Sequence, residues 1–224
     1  MTNAPAASEK KLVSTVMMAT VLFIGLATPA LAGPPFVCHP FEIGSAKSLP
    51  SDPRHWLAVR SDYDIHNVVA DTEALLTPST PTLVRMETLR RAALYASLDR
   101  AVAEQLLAAM MSRVRAAEQA GNSMAIALFD AGYVVEALSE IEQFGNHMKE
   151  FAGRDKALAG LTRRFDGRAL IEKSLALRPR DASIEFALWL LAPSAERASH
   201  LRIAREGASQ DVLLASNLAK LQAE

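Results

Sequence analysis

The chain has 224 residues, half of them hydrophobic, and sets 24 Lys and Arg against 25 Asp and Glu for a formal net charge of −1. That balance excludes the phosphate-backbone attraction that nucleic-acid binding draws on, and it supplies no polybasic segment for an anionic membrane surface. A single cysteine excludes an internal disulfide framework, so packing must hold the fold.

The first element in chain order is a leader. Lys10 and Lys11 precede an uncharged run over 12–28, Pro29 interrupts it, and Ala30-Leu31-Ala32 has the small-x-small form of a cleavage site. The pattern predicts a signal peptide over 1–32 and a periplasmic or secreted protein. After cleavage no membrane association is expected; without cleavage the same run would serve as an anchor. Residues 33–80 follow as a proline-rich arm, marked by Pro34, Pro35, Pro40, Pro50, Pro53 and Pro78. Within it, one or two short helices fit only over 54–76. Phe36, Val37, Phe41, Ile43 and Leu49 are too apolar for a free tail, so the arm is expected to dock on the body.

From Pro81 to the C-terminus the pattern is helical. Thr80 is placed as an N-cap before Pro81, and Leu83, Met86, Leu89, Ala93 and Ala96 follow at steps of three and four. Asp99 caps a second helix with Val102, Leu106, Ala109 or Met110 and Val114 inward, and Gly121 ends it. Ser123 caps a third, whose stripe is Ala127, Ala131, Val134, Leu138 and Ile141. Residues 146–164 are less regular, with Phe151, Leu158 and Leu161 among two glycines. Asp166 opens a helix carrying Leu170, Ile171, Leu175 and Leu177, and Pro179 stops it. Asp181 caps the stretch 184–191. Ser194 caps the next helix, with Ala198, Leu201 and Ala204 inward, and Gly207 ends it. Ser209 caps a last one with Val212, Leu213 and Leu218. The fold class is therefore all-α: antiparallel helical hairpins over 81–224, as a repeat-like array or an irregular bundle.

Two segments resemble the tetratricopeptide-repeat family. IEKSLALRP (171–179) resembles the end of such a repeat, with Ile171, Ser174, Leu175 and Pro179 at the family's intervals. AGYVVEAL (131–138) resembles its mid-repeat turn, Gly132 standing five before Ala137. The resemblance implies hairpins stacked into a superhelix whose concave face binds peptides or partner proteins. The chain departs from the family where Ala137 and Gly167, at one repeat position, miss its period of about 34 residues. The stripe over 127–141 equally suits one unbroken helix with Gly132 as a close-packing point. CHPFEIGSAKSLP (38–50) is similar to stretches of uncharacterised exported bacterial proteins, which implies no activity.

The chemistry-bearing residues are few. Cys38 adjoins His39, and His55 and His66 could complete a thiol or metal site with them, although at no standard ligand spacing. The competing readings of Cys38 are a small buried hydrophobe and an intermolecular disulfide. SDYDIHN (61–67) gathers Asp62, Asp64, His66 and Asn67, a pattern that suits helix capping better than a calcium loop. Arg85, Glu87, Arg90, Arg91 and Asp99 read as a solvated helix face, with Arg85, Arg90 and Arg91 as candidates for contacting a partner's carboxylates. His147 and His200 read as lone surface residues. No phosphate loop, nucleophile elbow or zinc-protease motif occurs, and no cofactor is implied. The functional expectation is an exported, non-catalytic helical-repeat protein that engages protein partners. The alternatives are a thiol- or metal-dependent enzyme using Cys38 and His39, and a structural subunit of an envelope assembly.

Overall fold

The computed structural model describes residues 1–2, 36–52, 55–120, 124–145 and 147–223. The leader cleavage site, Pro34, Pro35, Pro53, Gly121 and Ser123 lie outside the described residues. Those described form an all-α fold of nine helices. They are α1 (Val68–Leu75), α2 (Thr82–Ala96), α3 (Arg100–Gln119), α4 (Met124–Phe144), α5 (Arg154–Leu158), α6 (Gly167–Leu177), α7 (Ala182–Leu191), α8 (Ser194–Gly207) and α9 (Val212–Ala223). None of them is long and apolar enough to cross a membrane.

Helix α4 is the hub, packed against α2, α3, α5 and α6. Its stripe of Ala127, Ala131, Val134, Leu138 and Ile141 is buried along its whole length. The helix runs without a turn through 131–138, so the unbroken-helix alternative holds there. Gly132 works as a close-packing point. A Cβ at Gly132 would lie 2.5 Å from the Gly167 carbonyl oxygen, and one at Gly167 would lie 2.6 Å from the Gly132 carbonyl oxygen. Two backbones therefore touch where α4 crosses the start of α6, and only glycine at both positions permits it.

The acidic caps sit where the sequence places them. Asp99 accepts from the Ala101 and Val102 amides, Asp166 from Ala169, and Asp181 from Ser183 and Ile184. Three hydroxyl caps are corrected. The N-cap of α2 is Pro81, while the Thr80 hydroxyl donates back to the Leu75 carbonyl. The N-cap of α8 is Pro193, with Ser194 already inside the helix. The α9 start is held by Asp211, which accepts from the Leu214 amide, and not by Ser209. The register of α9 shifts accordingly: Leu214, Asn217 and Leu218 are buried, and Val212 is exposed. On α8, Ala204 is buried but Ala198 faces solvent.

The arm docks. Phe36, Val37, Phe41 and Leu49 are all buried, each side chain contributing about 1.5–3 kcal/mol. The Phe36 ring meets Tyr133 edge-on at 4.9 Å, and Phe41 meets Phe186 of α7 at 6.1 Å. Between the 3-10 turns Phe36–Cys38 and Ile65–Asn67 the described residues form no helix or strand, so their buried backbone groups need partners from elsewhere. Helix α2 supplies most of them, which overturns the reading of its charges as a solvated face. Glu87 is fully buried and accepts four N–H groups: Phe41 N at 3.0 Å, Arg90 Nε and Nη2 at 2.8 Å each, and Arg91 Nε at 2.6 Å. Arg90 Nη1 reaches the Val37 and Trp56 carbonyls, and Arg91 Nη1 reaches that of Leu49. Tyr95 Oη donates to the Pro50 carbonyl and accepts the Arg60 amide. From α9, Asn217 accepts the Glu42 amide and donates to its carbonyl, and Lys220 donates to the Pro40 carbonyl.

Two outcomes follow for stability in urea. Glu87→Gln strips the counter-charge from buried Arg90 and is expected to cost about 3–5 kcal/mol at neutral pH, with faster proteolysis of the arm at 40–50. Gly132→Ala gains about 1 kcal/mol of helix propensity but forces a methyl against the Gly167 backbone, for an expected net loss of about 1–3 kcal/mol.

Candidate functional site

The residues singled out in the sequence do not converge. Among the described residues no three His, Cys, Asp or Glu side chains group so as to hold a metal, and Cys38, His39, His55 and His66 form no such set. Cys38 is half-buried, and burial, with the Glu140 charge next in importance, pushes its thiol up to about 11. That is the direction away from an activated nucleophile. His55 stacks flat on Trp56 at 5.8 Å, and His66 is exposed on the turn that the Asp64 carboxylate caps. Arg85 and Arg90 are buried and Arg91 is mostly so, and all three are committed to internal partners. None of them presents a free guanidinium on an open surface.

An open groove of about 430 Å³ lies between α6, α7 and α8. Leu175 and Ala176 of α6, Pro179 of the connection and Leu188 of α7 form its apolar part. Three glutamates border it: Glu172 of α6, Glu185 of α7 and Glu196 of α8. Each carboxylate is steered from within the fold. Glu172 and Glu196 both pair with Arg168, Glu172 at 2.7 Å. Glu185, almost fully buried, holds His200 Nδ1 at 2.6 Å. His200 is thus hydrogen-bonded to Glu185 and joins α7 to α8; it is not a lone surface residue, whereas His147 is exposed. Arg180 closes one end and pairs with Glu206 of α8 at 2.8 Å.

Backbone strain marks the same place. Arg180 adopts φ of 64°, the only positive φ at a non-glycine among the described residues. This left-handed conformation costs about 1–2 kcal/mol for a residue with a Cβ. It is sustained between the end of α6 and the Asp181 cap of α7, where the Arg178–Asp181 pair at 2.7 Å braces the turn. Three carboxylates border the groove against Arg168, Arg180 and one imidazole, and Glu206 lies behind Arg180, which leaves a slight excess of negative charge around an apolar strip. Chemically, the arrangement can receive a cationic or an apolar group.

Three further acids, Asp130 buried and Glu136 and Glu140 partly buried, were not singled out in the sequence. Asp130 interrupts the apolar run IALFDAGYVV, and that interruption is a legible sign of a buried, paired charge. Burial pushes its carboxyl up to about 6 against the pull of Arg85 and Arg113. Glu136 accepts the Arg168 amide at 2.8 Å at the start of α6, and burial raises its carboxyl. Glu140 accepts the Phe36 and Val37 amides at 3.1 and 2.7 Å, so it caps the first turn of the arm. Burial pushes Glu140 up to about 8, outweighing those two N–H groups. No pattern in the sequence joins residue 140 to residue 36.

Comparison of the chain with protein-family models, with the curated proteins and with the solved structures gave no match.

Glu140 sets a pH dependence. Its carboxyl binds a proton in the folded state up to about 8 but releases it near 4.5 when unfolded. The folded state therefore holds more protons between these values, and stability falls as pH rises through this window, by at most about 1.4 kcal/mol per unit. In urea unfolding across this range, Glu140→Gln is expected to show a shallower decline than the parent chain. Equal slopes would count against the raised carboxyl.

Proposed function

We propose that the protein is an exported, non-catalytic helical protein that holds a partner polypeptide in the groove between α6, α7 and α8. The partner segment is apolar at its centre and basic at its flanks. The observation that carries this reading is the groove itself: an apolar strip of Leu175, Ala176, Pro179 and Leu188 bordered by Glu172, Glu185 and Glu196. Pre-positioned carboxylates lower the cost of recognition, because Arg168 and His200 already fix three of them and little side-chain freedom is left to lose. Complementary charge around an apolar contact selects the partner and speeds encounter. Export is supported by the Lys10-Lys11 pair, the uncharged run after it and Ala30-Leu31-Ala32. The tetratricopeptide resemblance over 171–179 points the same way, since that stretch holds Glu172, Leu175, Ala176 and Pro179 of the groove lining.

The test uses two labelled peptides that share a leucine-rich centre, one flanked by lysines and one by glutamates. Fluorescence anisotropy is expected to show saturable binding of the lysine-flanked peptide only, weakening with added salt. Ala176 is exposed on α6, so Ala176→Arg leaves the core intact while filling the strip and placing a positive charge in it. At least a tenfold loss of affinity is expected. Equal binding of both peptides, or an unchanged affinity in the variant, sinks the proposal.

A further inference from the structure

A second cleft opens elsewhere on the molecule, between the α1–α2 connection, the later turns of α3 and the first turn of α4. It measures about 420 Å³, within the range of small-molecule sites. Pro78, Ala116, Ala117, Ile126 and Ala127 give it apolar walls, and Arg85 and Arg113 are its charged lining.

The two arginines are fixed in different ways. Arg85 is fully buried, and each of its nitrogens is engaged: Nε with the Thr80 carbonyl at 3.0 Å, Nη2 with the Thr77 carbonyl, and Nη1 with Asp130 Oδ2 at 2.7 Å. Arg113 is 27% exposed and uses only Nη2, on the Leu76 carbonyl at 2.9 Å and Asp130 Oδ2 at 3.5 Å. Its Nε and Nη1 meet no acceptor among the described residues. Behind them Asp130 is fully buried, its Oδ2 shared by both guanidiniums and its Oδ1 without a hydrogen-bond partner among the described residues. Asp130 lies one turn beyond Ile126 and Ala127 on α4, so it is set below the cleft rather than in its lining.

The charge count decides the ligand's sign. Two guanidiniums face one carboxylate, and the first turn of α4 adds the positive end of a 21-residue helix. Among the described residues no acidic side chain lines the cleft. The free Nε–H and Nη1–H of Arg113 point in different directions, so each offers a single charge-assisted hydrogen bond to an anion's oxygen. The alanine, isoleucine and proline walls suit a compact apolar body beside that carboxylate.

We infer that this cleft binds a small organic monoanion, a carboxylate carried on a compact apolar group, held by Arg113 as the gripping residue with Arg85 and Asp130 positioning it from behind. The site stands apart from the groove of the proposed partner and does not depend on that reading. In it one carboxylate oxygen of the ligand takes a free N–H of Arg113, and its apolar body lies against Ala117 and Ile126.

The test is a titration of the purified full chain with benzoate, followed by two-dimensional NMR of the backbone amides and the arginine Nε–H groups. Saturable shifts are expected at Ala117, Ile126, Ala127 and the Arg113 Nε–H. Benzylamine, with the opposite charge, should give none of these, and sulfate, which lacks the apolar body, should bind at least tenfold more weakly. Arg113→Gln is expected to weaken benzoate at least tenfold. Because Arg113 also holds the Leu76 carbonyl, that variant could lose its fold, which its own spectrum would reveal. Ala117→Phe then decides, since it fills the cleft and leaves every charged group in place. The assignment is overturned by the absence of a saturable benzoate shift, by equal responses to benzylamine or sulfate, or by full affinity in Ala117→Phe or in a folded Arg113→Gln.

Discussion

The Glu87 carboxylate is the point on which the arrangement of this chain turns. A carboxylate offers about four lone-pair sites, and here four N–H groups fill them, three from Arg90 and Arg91 and one from the arm at Phe41. Burying such a charge costs several kcal/mol, and only near-complete hydrogen bonding offsets it. Although burial alone would raise its pKa, the Arg90 hydrogen bonds and the charges of Arg90 and Arg91 outweigh that, and the carboxyl sits below its usual value. Removing any one donor leaves the rest of the cluster short of a partner. The cluster therefore specifies one docked position for the arm more sharply than apolar contact would.

That specificity matters because the arm is irregular chain. Its carbonyl and amide groups pair with one another only in isolated turns, and those at its buried positions are covered from solvent by packing. Side chains of three helices do the pairing instead. Helix α2 takes Val37, Phe41, Leu49, Pro50 and Trp56, Glu140 of α4 takes Phe36 and Val37, and Asn217 and Lys220 of α9 take Pro40 and Glu42. The partners are far apart in sequence, up to 180 residues for Lys220 and Pro40. Such contacts close long loops of chain, so the arm's docking rests on the prior fold of the helices that supply its partners for its entropic cost to be met.

Legibility in the sequence divided along the same line. Helix existence, the apolar stripes of α2 to α4 and the aspartate caps follow from local rules of spacing and hydrogen bonding, and they hold in the structure. Hydroxyl caps failed at Thr80, Ser194 and Ser209 because a proline or a nearby aspartate began the helix better. The larger error was in RMETLRR. Alternating Arg and Glu on a helix ordinarily marks a wet face, and only a covering segment some 45 residues upstream makes it a dry one. The arm's apolar residues did predict that it docks, yet nothing local says on which face. The groove and the cleft were illegible for the same reason, since each is made where three separate segments meet.

Helix α2 connects these parts physically. Thirteen of its 15 residues are buried, although its composition is half polar, so it behaves as a central strut rather than a surface helix. Arg85 and Glu87 are two positions apart, about 200° around the axis, and so serve opposite sides. Arg85 faces Asp130 and the cleft beside α3 and α4, and Glu87 faces the arm. At the C-terminal end, Arg154 donates to the Leu94 carbonyl and the Ser97 hydroxyl, completing the last turn from α5. A helix tied by charge on two sides and capped from a third cannot rotate to improve one contact without breaking another. The arm and the cleft therefore share one rigid reference, and the position of each is set by the same fifteen residues.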